Sequence, residues 1–326
     1  MDALVIGAGP AGLMAAEELA RAGRRVVICE AKASPARKFL MAGKSGLNVT
    51  KNEPLQGFTA HYDAAEWLAP MLADFGPEAV QDWCRGLGQE VFTGSSGRVF
   101  PVAMKASPLL RAWLFRLGEM GVSLRTRWRW DGFEGAGLRF QTPDNVQVLQ
   151  PKVTVLALGG ASWSRLGSDA KWVAFLAEKG VGMTPFAPAN MGFSVDWSAH
   201  MARFFGSPVK GVALCVGSRR ERGEFVLSSK GLEGGGIYAV SRDLRLGGQL
   251  VLDLLPDIAE AEVAARLGRM RAGETAANRL RKLGISPVSV ALVQEFGRGL
   301  PLIQAVKALP IRLIGPRPMD EAISVA

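Results

Sequence analysis

The first thirty residues contain a pattern that strongly restricts what the chain can fold into. Its parts, in order, are an apolar run at 3–6, the glycines Gly7, Gly9 and Gly12 spaced as G-x-G-x-x-G, apolar residues at helical spacing to Ala22, a second apolar run at 25–29, and Glu30. Strand, glycine turn, helix, strand and acid in this order predict the first half of a dinucleotide-binding fold.

Each part of this fingerprint has a physical role. Gly7 permits a tight turn out of the strand, Gly9 lets a pyrophosphate approach the backbone, and Gly12 allows the helix to lie close to the strand. The amides and the positive dipole end of the helix then face the phosphates. Glu30 is placed to accept hydrogen bonds from ribose hydroxyls.

Two details favour FAD over NAD as the bound dinucleotide. The fingerprint lies at the N-terminus, and Gly12 and Glu30 are spaced as G-x17-E. The sequence contains no second G-x-G-x-x-G. One fingerprint therefore predicts one resident cofactor.

Composition excludes several other classes. Three scattered cysteines and two histidines, His61 and His200, give no disulfide framework and no metal-ligand spacing, so we expect no bound metal. No apolar run approaches the roughly 18 residues of a membrane span, and the N-terminal apolar run leads directly into the fingerprint. We therefore expect a cytoplasmic protein without a signal peptide or membrane contact, in which a cofactor carries the difficult chemistry.

A polar, glycine-containing loop follows the fingerprint. Residues 43–50, GKSGLNVT, can place backbone amides against a cofactor, and the alternative is an ordinary surface loop. Arg37 and Lys38 place two cations just past the ribose-binding acid. Further along, the apolar run 152–160 ends in Gly159 and Gly160, and a strand that ends in paired glycines can bring backbone against the dinucleotide.

The net charge of +9 raises the possibility of nucleic-acid binding. Residues 122–133 alternate as one strand, with Arg125, Arg127 and Arg129 on one face and tryptophans on the other. A basic stripe beside tryptophans is one way to stack bases. We favour a solvated sheet-edge strand instead, because basic residues are dispersed along the chain.

The remaining pattern predicts two domains. Residues 63–87 read as one or two amphipathic helices whose aromatic residues enter the core, and residues 137–149 read as a hairpin that turns at Asp144-Asn145. From 186 to 304 the chain is β-rich and then helical. We interpret this stretch as a cap domain inserted into a first domain made of 1–185 and 305–326.

Several segments together resemble the BaiN/YhiN-like bacterial flavoproteins. They are the N-terminal fingerprint, ARKFLMAGKSGLNVT, SSGRVFPVAMKAS, LALGGASWSRLGSDAKW, PANMGFSVDWS and GEFVLSSKGLEGGGIYAVS. The resemblance covers nearly the whole chain. It implies an α/β fold, with an FAD/NAD(P)-binding, Rossmann-like domain of the glutathione-reductase type and an inserted β-barrel-like plus helical domain over the flavin.

The resemblance also implies which residues bind FAD. The pyrophosphate would lie at Gly7, Gly9, Pro10, Ala11 and Gly12, and the ribose at Glu30 with Ala31 beside it. Arg37, Lys38 and the loop residues Lys44, Asn48 and Thr50 would approach the pyrophosphate and the flavin. The strand around Trp128 would contact adenine through its backbone, and Gly159 and Gly160 would close the site.

The chain departs from this family in two places. The family has a glycine-arginine-cysteine-asparagine loop where this chain has Gly43-Lys44-Ser45-Gly46-Leu47-Asn48, which argues against a thiol partner for the flavin. The family also continues beyond the equivalent of Ala326 with a glycine-rich segment and a helix that points at the flavin ring. Without that segment we expect flavin binding and reactivity to be affected.

These observations predict an FAD-dependent oxidoreductase that takes hydride from NAD(P)H and passes it to a small organic acceptor. Two alternatives remain open: a nucleic-acid-associated, RNA-modifying flavoprotein, and a flavin-binding protein without turnover. The sequence identifies no catalytic side chain.

Overall fold

The chain divides into two units. The computed structural model describes residues 1–44, 46–62, 64–271 and 273–325. One unit consists of Met1–Gly159 and Trp163–Met183, and the other of Gly160–Ser162 and Thr184–Ala326. The first unit ends close to the predicted boundary at 185, but the stretch from 305 groups with the second unit. The reason is strand pairing, since Leu309–Ile311 pairs with Leu250–Asp253 in the second unit.

The first unit contains a parallel sheet, two small antiparallel sheets and the helices around them. Its strands are β1 (Ala3–Ile6), β2 (Val26–Glu30), β3 (Thr50–Lys51), β4 (Val91–Thr93), β5 (Arg98–Pro101), β6 (Ser123–Thr126), β7 (Arg129–Glu134), β8 (Gly137–Gln141), β9 (Val146–Leu149) and β10 (Val153–Leu156). Its helices are α1 (Pro10–Arg21), α2 (Arg37–Ala42), α3 (Leu55–Thr59), α4 (Ala65–Asp74), α5 (Pro77–Gly86), α6 (Ala106–Glu119) and α7 (Trp172–Ala177), with a 3-10 helix at Ser164–Leu166.

The parallel sheet has the strand order β10-β1-β2-β6. Every residue of β1 is buried, and its side chains alternate between two apolar clusters. Val5 packs in the cluster that contains Leu13 of α1 and Trp113 of α6, whereas Leu4 packs with Phe140 of β8. Because both faces of the sheet are covered, the strand reads in the sequence as a continuous apolar run.

The predicted single strand at 122–133 is wrong. The chain bends at Arg127, which has a left-handed φ of +61°, so β6 ends the parallel sheet and β7 begins an antiparallel one. The three arginines therefore do not form one stripe. The guanidinium of Arg125 lies 4.6 Å from the ring centroid of Trp128, and Arg129 lies 3.6 Å from the carboxylate of Asp169.

The second antiparallel sheet, β7-β8-β9, includes the predicted hairpin. Strands β8 and β9 pair in antiparallel register, and Thr142 and Asn145 are hydrogen-bonded across the turn. The hairpin prediction for residues 137–149 is confirmed.

The predicted helical stretch at 63–87 forms two helices, α4 and α5, but only part of it is buried. A break at Gly76 separates them, and Pro77 begins α5. None of the residues of α4 is buried, and Trp67 is 68% exposed. The expectation that these aromatic residues belong to the core is wrong for α4, because only α5 reaches the core, through Cys84 and Trp83.

The second unit is built on an antiparallel sheet. Its strands are β11 (Pro188–Ala189), β12 (Phe193–Ser194), β13 (Pro208–Val216), β14 (Arg219–Ser228), β15 (Gly231–Glu233), β16 (Leu250–Asp253), β17 (Leu309–Ile311), β18 (Gly315–Pro316) and β19 (Ser324–Val325). Its helices are α8 (Gly235–Ala239), α9 (Ser241–Arg245), α10 (Glu260–Gly268), α11 (Ala276–Lys282), α12 (Pro287–Phe296) and α13 (Leu302–Lys307), with 3-10 helices at Ala199–Phe204 and Met319–Glu321.

Seven strands of this unit form one sheet in the order β17-β16-β13-β14-β15-β12-β18. Its two end strands are adjacent in sequence, because Ile311 ends β17 and Gly315 begins β18. Four chain steps span at most about 14 Å, whereas a flat sheet of this size would separate its end strands by about 29 Å. The sheet must therefore curl strongly, which agrees with the predicted β-barrel-like domain.

Candidate cofactor-binding site

The glycines of the fingerprint fall into two groups. Gly7 has a φ of +104°, and a Cβ there would collide with the carbonyl of Ala157. A Cβ on Gly12 would likewise collide with the carbonyl of Gly7. At Gly9 an added Cβ would meet no atom within 4 Å. Two glycines thus let backbones pack, and Gly9 leaves open space where α1 begins.

The start of α1 is arranged to bind an anion. Gly9 caps the helix, Pro10 is its first residue, and its first backbone bond runs from the amide of Leu13 to the carbonyl of Gly9. The amides of Ala11 and Gly12 precede that bond, so they have no acceptor within the helix. The first turn of α1, all of it described, contains no acidic residue. The positive end of the helix dipole is therefore not neutralised there.

The carboxylate of Glu30, at the end of β2, is held in place by two backbone amides, one from the glycine turn after β1 and one from the residues just after β2. The amide of Ala8 donates to Oε2 at 2.9 Å, and the amide of Lys32 donates to Oε1 at 2.8 Å. A carboxylate oxygen accepts more than one hydrogen bond, so both oxygens keep capacity for a ligand. Glu30 is therefore oriented before any ribose binds.

These groups meet in one cavity of about 730 Å³, a size typical of small-molecule sites. The cavity lies within the first unit. Its lining is Ile6, Gly7, Gly9, Pro10, Ala11, Cys29, Glu30, Ala31, Ser34, Ala36, Arg37, Lys38, Phe39, Trp128, Arg129, Trp130, Asp131, Leu156, Ala157, Leu158, Gly159, Leu166, Gly167, Ser168, Asp169, Lys171, Trp172, Phe175 and Leu176.

The cavity has a second part, made by β7, α7 and the loop before α7. Trp130 and Phe175 pack edge to face there, with ring centroids 5.3 Å apart. Asp169 lies 3.6 Å from Arg129 and 3.7 Å from the side chain of Lys171. This part therefore combines aromatic surface with a few charged groups, as nucleotide pockets commonly do.

Three of the six described non-glycine residues with a left-handed backbone lie at or beside the cavity. Among the described non-glycine residues with positive φ are Ala36, Arg127 and Ala170, at +54°, +61° and +57°. Ala36 lines the cavity, and the other two adjoin lining residues. Such conformations are costly for residues with a Cβ, and they concentrate at functional sites. Their position supports a ligand-binding role for this cavity.

Cys29 lines the cavity but does not supply a reactive thiolate. Its side chain is buried, and burial raises the pKa of the thiol to about 12. The thiol is therefore protonated at neutral pH, and a nucleophilic role is not supported.

Ten of the fifteen predicted cofactor-binding residues line this one cavity. They are Gly7, Gly9, Pro10, Ala11, Glu30, Ala31, Arg37, Lys38, Trp128 and Gly159. The amide of Trp128 donates to the carbonyl of Glu30 at 2.9 Å, so the predicted backbone contact to adenine would have to use another group there.

Five predicted residues lie elsewhere, and their roles stay predictions. Gly12 packs behind the fingerprint turn, Lys44 is exposed, and Thr50 lies in β3. The side-chain amide of Asn48 donates hydrogen bonds to the backbone carbonyls of Thr50 and Val99, at 2.7 and 3.2 Å. Gly160 groups with the second unit, where a Cβ would collide with Val325. Ser45, part of the loop in which the family has a cysteine, lies outside the described residues.

Sequence reasoning missed the wall formed by Arg129, Asp131 and residues 166–176. The segment GSDAKW at 167–172 contributes most of the polar groups of that wall. This segment ends the stretch LALGGASWSRLGSDAKW, which resembles the flavoprotein family, and that resemblance is the sequence signal that could have located the wall.

Comparison with known proteins identifies the family of the chain. Residues 1–280 match the model of the HI0933-like protein Rossmann domain. The chain therefore belongs to the HI0933-like family, whose members are FAD-binding flavoprotein oxidoreductases. The predicted fold class is confirmed, as are FAD binding and a flavin-dependent enzyme at the level of the family.

Solved structures give more distant likenesses. A 3-ketosteroid-delta4-(5alpha)-dehydrogenase from Rhodococcus jostii RHA1 is 17% identical, with a TM-score of 0.45 over 95% of this chain and 83% of that one. A flavocytochrome c3 fumarate reductase in an open conformation is 15% identical, with a TM-score of 0.45 over 97% and 67%. THI4 from Thermovibrio ammonificans is 16% identical, with a TM-score of 0.34 over 64% and 72%.

In the part of the chain that the structure describes, we find no helix with both the length and the apolar character needed to cross a bilayer.

Proposed function

We propose that this protein is an FAD-dependent oxidoreductase in which NAD(P)H reduces the flavin and a small organic molecule accepts the electrons. The observation that carries the proposal is the group of residues around Gly9 that can bind a pyrophosphate and a ribose. Open space at the start of α1, the amides of Ala11 and Gly12, and the fixed carboxylate of Glu30 all belong to one cavity or adjoin it.

The residues of the cavity fit the adenosine diphosphate part of FAD. Gly9 and the first amides of α1 would hold the pyrophosphate, because they combine free space with hydrogen-bond donors and a positive dipole end. Arg37, which lines the cavity, would add a cation beside it. Glu30 would accept hydrogen bonds from the ribose hydroxyls. FAD, when bound, supplies the ability to accept and donate a hydride, so the contribution of this chain is binding and orientation.

Absorption spectroscopy tests the proposal. The protein is loaded with FAD, made anaerobic and mixed with NADPH or NADH. We expect the flavin band to bleach on mixing. Organic acceptors are then added one at a time, and an acceptor of the reduced flavin should restore the band. A chain that binds FAD and is reduced by light, but not by either nicotinamide cofactor, would contradict the proposed donor and favour flavin binding without turnover.

The nucleic-acid alternative has weaker support. The net charge of +9 favours it, but arginines at the start of β14 are in ion pairs. Arg219 lies 3.3 Å from Asp243, and Arg222 pairs with Asp257. RNA affinity that falls steeply with salt, with a slope set by the number of phosphate contacts, would revive this alternative.

A further inference from the structure

One surface of the first unit differs from the rest of the chain in its charge. Residues 52–84, which contain α3, α4 and most of α5, include six acidic residues and no lysine or arginine, although the chain has 39 lysines and arginines. Within this segment Glu66, Asp74 and Glu78 form no ion pair with any residue that the structure describes. The segment is therefore an acidic region of a basic protein.

Helix α4 has an uncovered face in this segment. Five exposed residues share one side of the helix by their spacing, and we call them the α4 surface: Glu66, Trp67, Pro70, Met71 and Asp74. Leu68 and Leu72 lie on the opposite side and are partly buried. Trp67 and Met71, one turn apart, are 68% and 50% exposed. Large apolar side chains that the fold leaves exposed together are typical of interaction sites.

The α4 surface offers groups that attract cations. Pro70 has no amide hydrogen, so it cannot donate to the backbone carbonyl of Glu66 as a helix residue normally does. This carbonyl adds an acceptor to the carboxylates of Glu66 and Asp74. The indole of Trp67 also attracts a lysine or arginine side chain through its ring face. The surface itself contains no cation.

A second cavity of the first unit, of about 710 Å³, lies beside α4. Leu55 of α3, Ala73 of α4 and Glu78 of α5 are among the residues that line it. Two other lining acids, Glu53 and Asp82, have basic partners, whereas Glu78 has none among the described residues. A long cationic side chain could place its stem against the apolar wall and its charged end at Glu78.

Electrostatics select among the possible occupants of this surface. Pairing of two α4 surfaces about a two-fold axis would bring the acids of both copies together without a cation, which is unfavourable. Anionic lipid headgroups and nucleic-acid phosphates would be repelled for the same reason. A protein segment with lysine or arginine beside apolar side chains complements both the charge and the apolar area.

We propose that the α4 surface binds a basic amphipathic segment of a partner protein. Apolar side chains of that segment would cover Trp67 and Met71, and its cations would pair with Glu66 and Asp74. One further cation would enter the cavity at Glu78. No residue of α4, all of which the structure describes, lines the cofactor cavity. The inference is therefore independent of the proposed function.

Fluorescence anisotropy with a labelled synthetic peptide tests the inference on the full chain. The probe is a helical peptide of leucine and lysine in which lysines flank one leucine stripe, and a peptide of the same composition in permuted order is the comparison. Because the chain is basic overall, it attracts a cationic peptide only at a local acidic site. We expect the amphipathic peptide to bind about tenfold more tightly than the permuted one, and its affinity to fall with added salt.

Two variants locate the binding. Trp67→Ala should weaken binding of the amphipathic peptide by about tenfold, as removal of a central aromatic contact commonly does. The double variant Glu66→Lys, Asp74→Lys should weaken it by at least as much and should flatten the salt dependence. Phe115→Ala is the matched control, since Phe115 is an aromatic residue of α6 that is 72% exposed. This control should bind the peptide as the wild type does.

Several results would overturn the inference. These are equal binding of the two peptides, unchanged binding by Trp67→Ala, or an equal loss of binding by Phe115→Ala. Self-association of the wild type that Trp67→Ala abolishes, measured by light scattering, would assign the surface to a second copy instead. Binding to phosphatidylglycerol vesicles that depends on Trp67 would assign it to a membrane, and this too would overturn the inference.

Discussion

Glu17 and Glu30 lie in the same strand-helix-strand unit, but their surroundings differ in kind. Glu17 of α1 is fully buried, and its four hydrogen bonds come from side chains: Arg21 and Trp113 at 2.6 Å, Arg116 at 3.0 Å and Trp83 at 3.4 Å. Glu30 is only partly buried and is held by two backbone amides beside a cavity.

The difference separates an acid that stabilises the fold from one that is available to a ligand. The donors to Glu17 come from α1, α5 and α6, so its carboxylate ties three helices together. The donors to Glu30 are the amides of Ala8, between β1 and α1, and of Lys32, just after β2, and they orient the carboxylate without using all of its acceptor capacity. Satisfaction of hydrogen bonds, rather than residue type, therefore distinguishes the two roles.

The largest expected effect follows from replacing Glu17. Glu17→Gln puts an amide where tryptophan and arginine donors converge, so one buried group loses its partner. We expect the free energy of unfolding to fall by about 3 kcal/mol, measured by urea denaturation. Glu18→Gln is the control, because its side chain is 58% exposed and its pair with Arg21 is a surface pair. It should change stability by less than about 0.5 kcal/mol.

The pH dependence sharpens this prediction. Burial acts to raise the pKa of Glu17, but hydrogen bonds from Arg116, Trp113 and Trp83 outweigh it and lower the pKa below the ordinary value of 4.5. A lowered pKa means that the stabilisation is fully present above 4.5 and is lost as the pH falls through the folded pKa. The stability gap between wild type and Glu17→Gln should be constant near neutrality and shrink in acid. If the stability gap did not shrink in acid, the loss of stability in Glu17→Gln would come from altered packing rather than from the charge of the carboxylate.

Gly9→Val tests the opposite case, a site that is open rather than filled. The variant should fold normally, because an added Cβ meets no atom within 4 Å. It should weaken FAD binding by about a hundredfold, which corresponds to about 2.7 kcal/mol, because the side chain fills the space for the pyrophosphate. Gly118→Val is the control, since Gly118 of α6 is equally open and does not line the cavity. Fluorescence titration with FAD measures both.

Glu30→Gln should give a smaller loss of FAD affinity, about tenfold, since one charge-assisted acceptor becomes neutral. Its unfolding curve should nearly match that of the wild type, in contrast to Glu17→Gln. If Glu30→Gln destabilised the protein as much as Glu17→Gln does, the two acids would not differ in role.

The smallest effect concerns the thiols. Burial raises the pKa of Cys29 to about 12 and that of Cys84 to about 11, whereas Cys215 is partly exposed. Iodoacetamide at pH 8 should therefore label Cys215 well before the other two, as peptide mass spectrometry would show. Unfolded protein should label at all three positions. Fast labelling of Cys29 in the folded protein would mean that the cavity exposes this thiol.

The parts of the fold and site that the sequence predicted share one property: they depend on local chemistry. The fingerprint has glycine at 7, 9 and 12 and an acid at 30, so the whole pattern lies within thirty residues. The hairpin at 137–149 is local as well. Such features are visible because one segment contains both the cause and the result.

The parts that were missed depend on distant contacts. The bend at Arg127 depends on the hydrogen bonds that Arg127 and Trp128 donate to Lys32 and Glu30, and no pattern within 122–133 reveals it. Asp169 enters the cavity because it lies beside Arg129, forty residues earlier in the chain. The exposure of α4 also could not be read from its apolar residues, since periodicity does not say whether a neighbour covers them.

Titration of the purified chain with FAD tests the central claim most directly. Flavin fluorescence and absorption are followed for the wild type and for Gly9→Val at equal concentration. The account predicts saturable binding of one FAD per chain by the wild type and little binding by the variant. A wild type that takes up no FAD, or a Gly9→Val protein that binds it equally well, would contradict the assignment of the first unit as the FAD site.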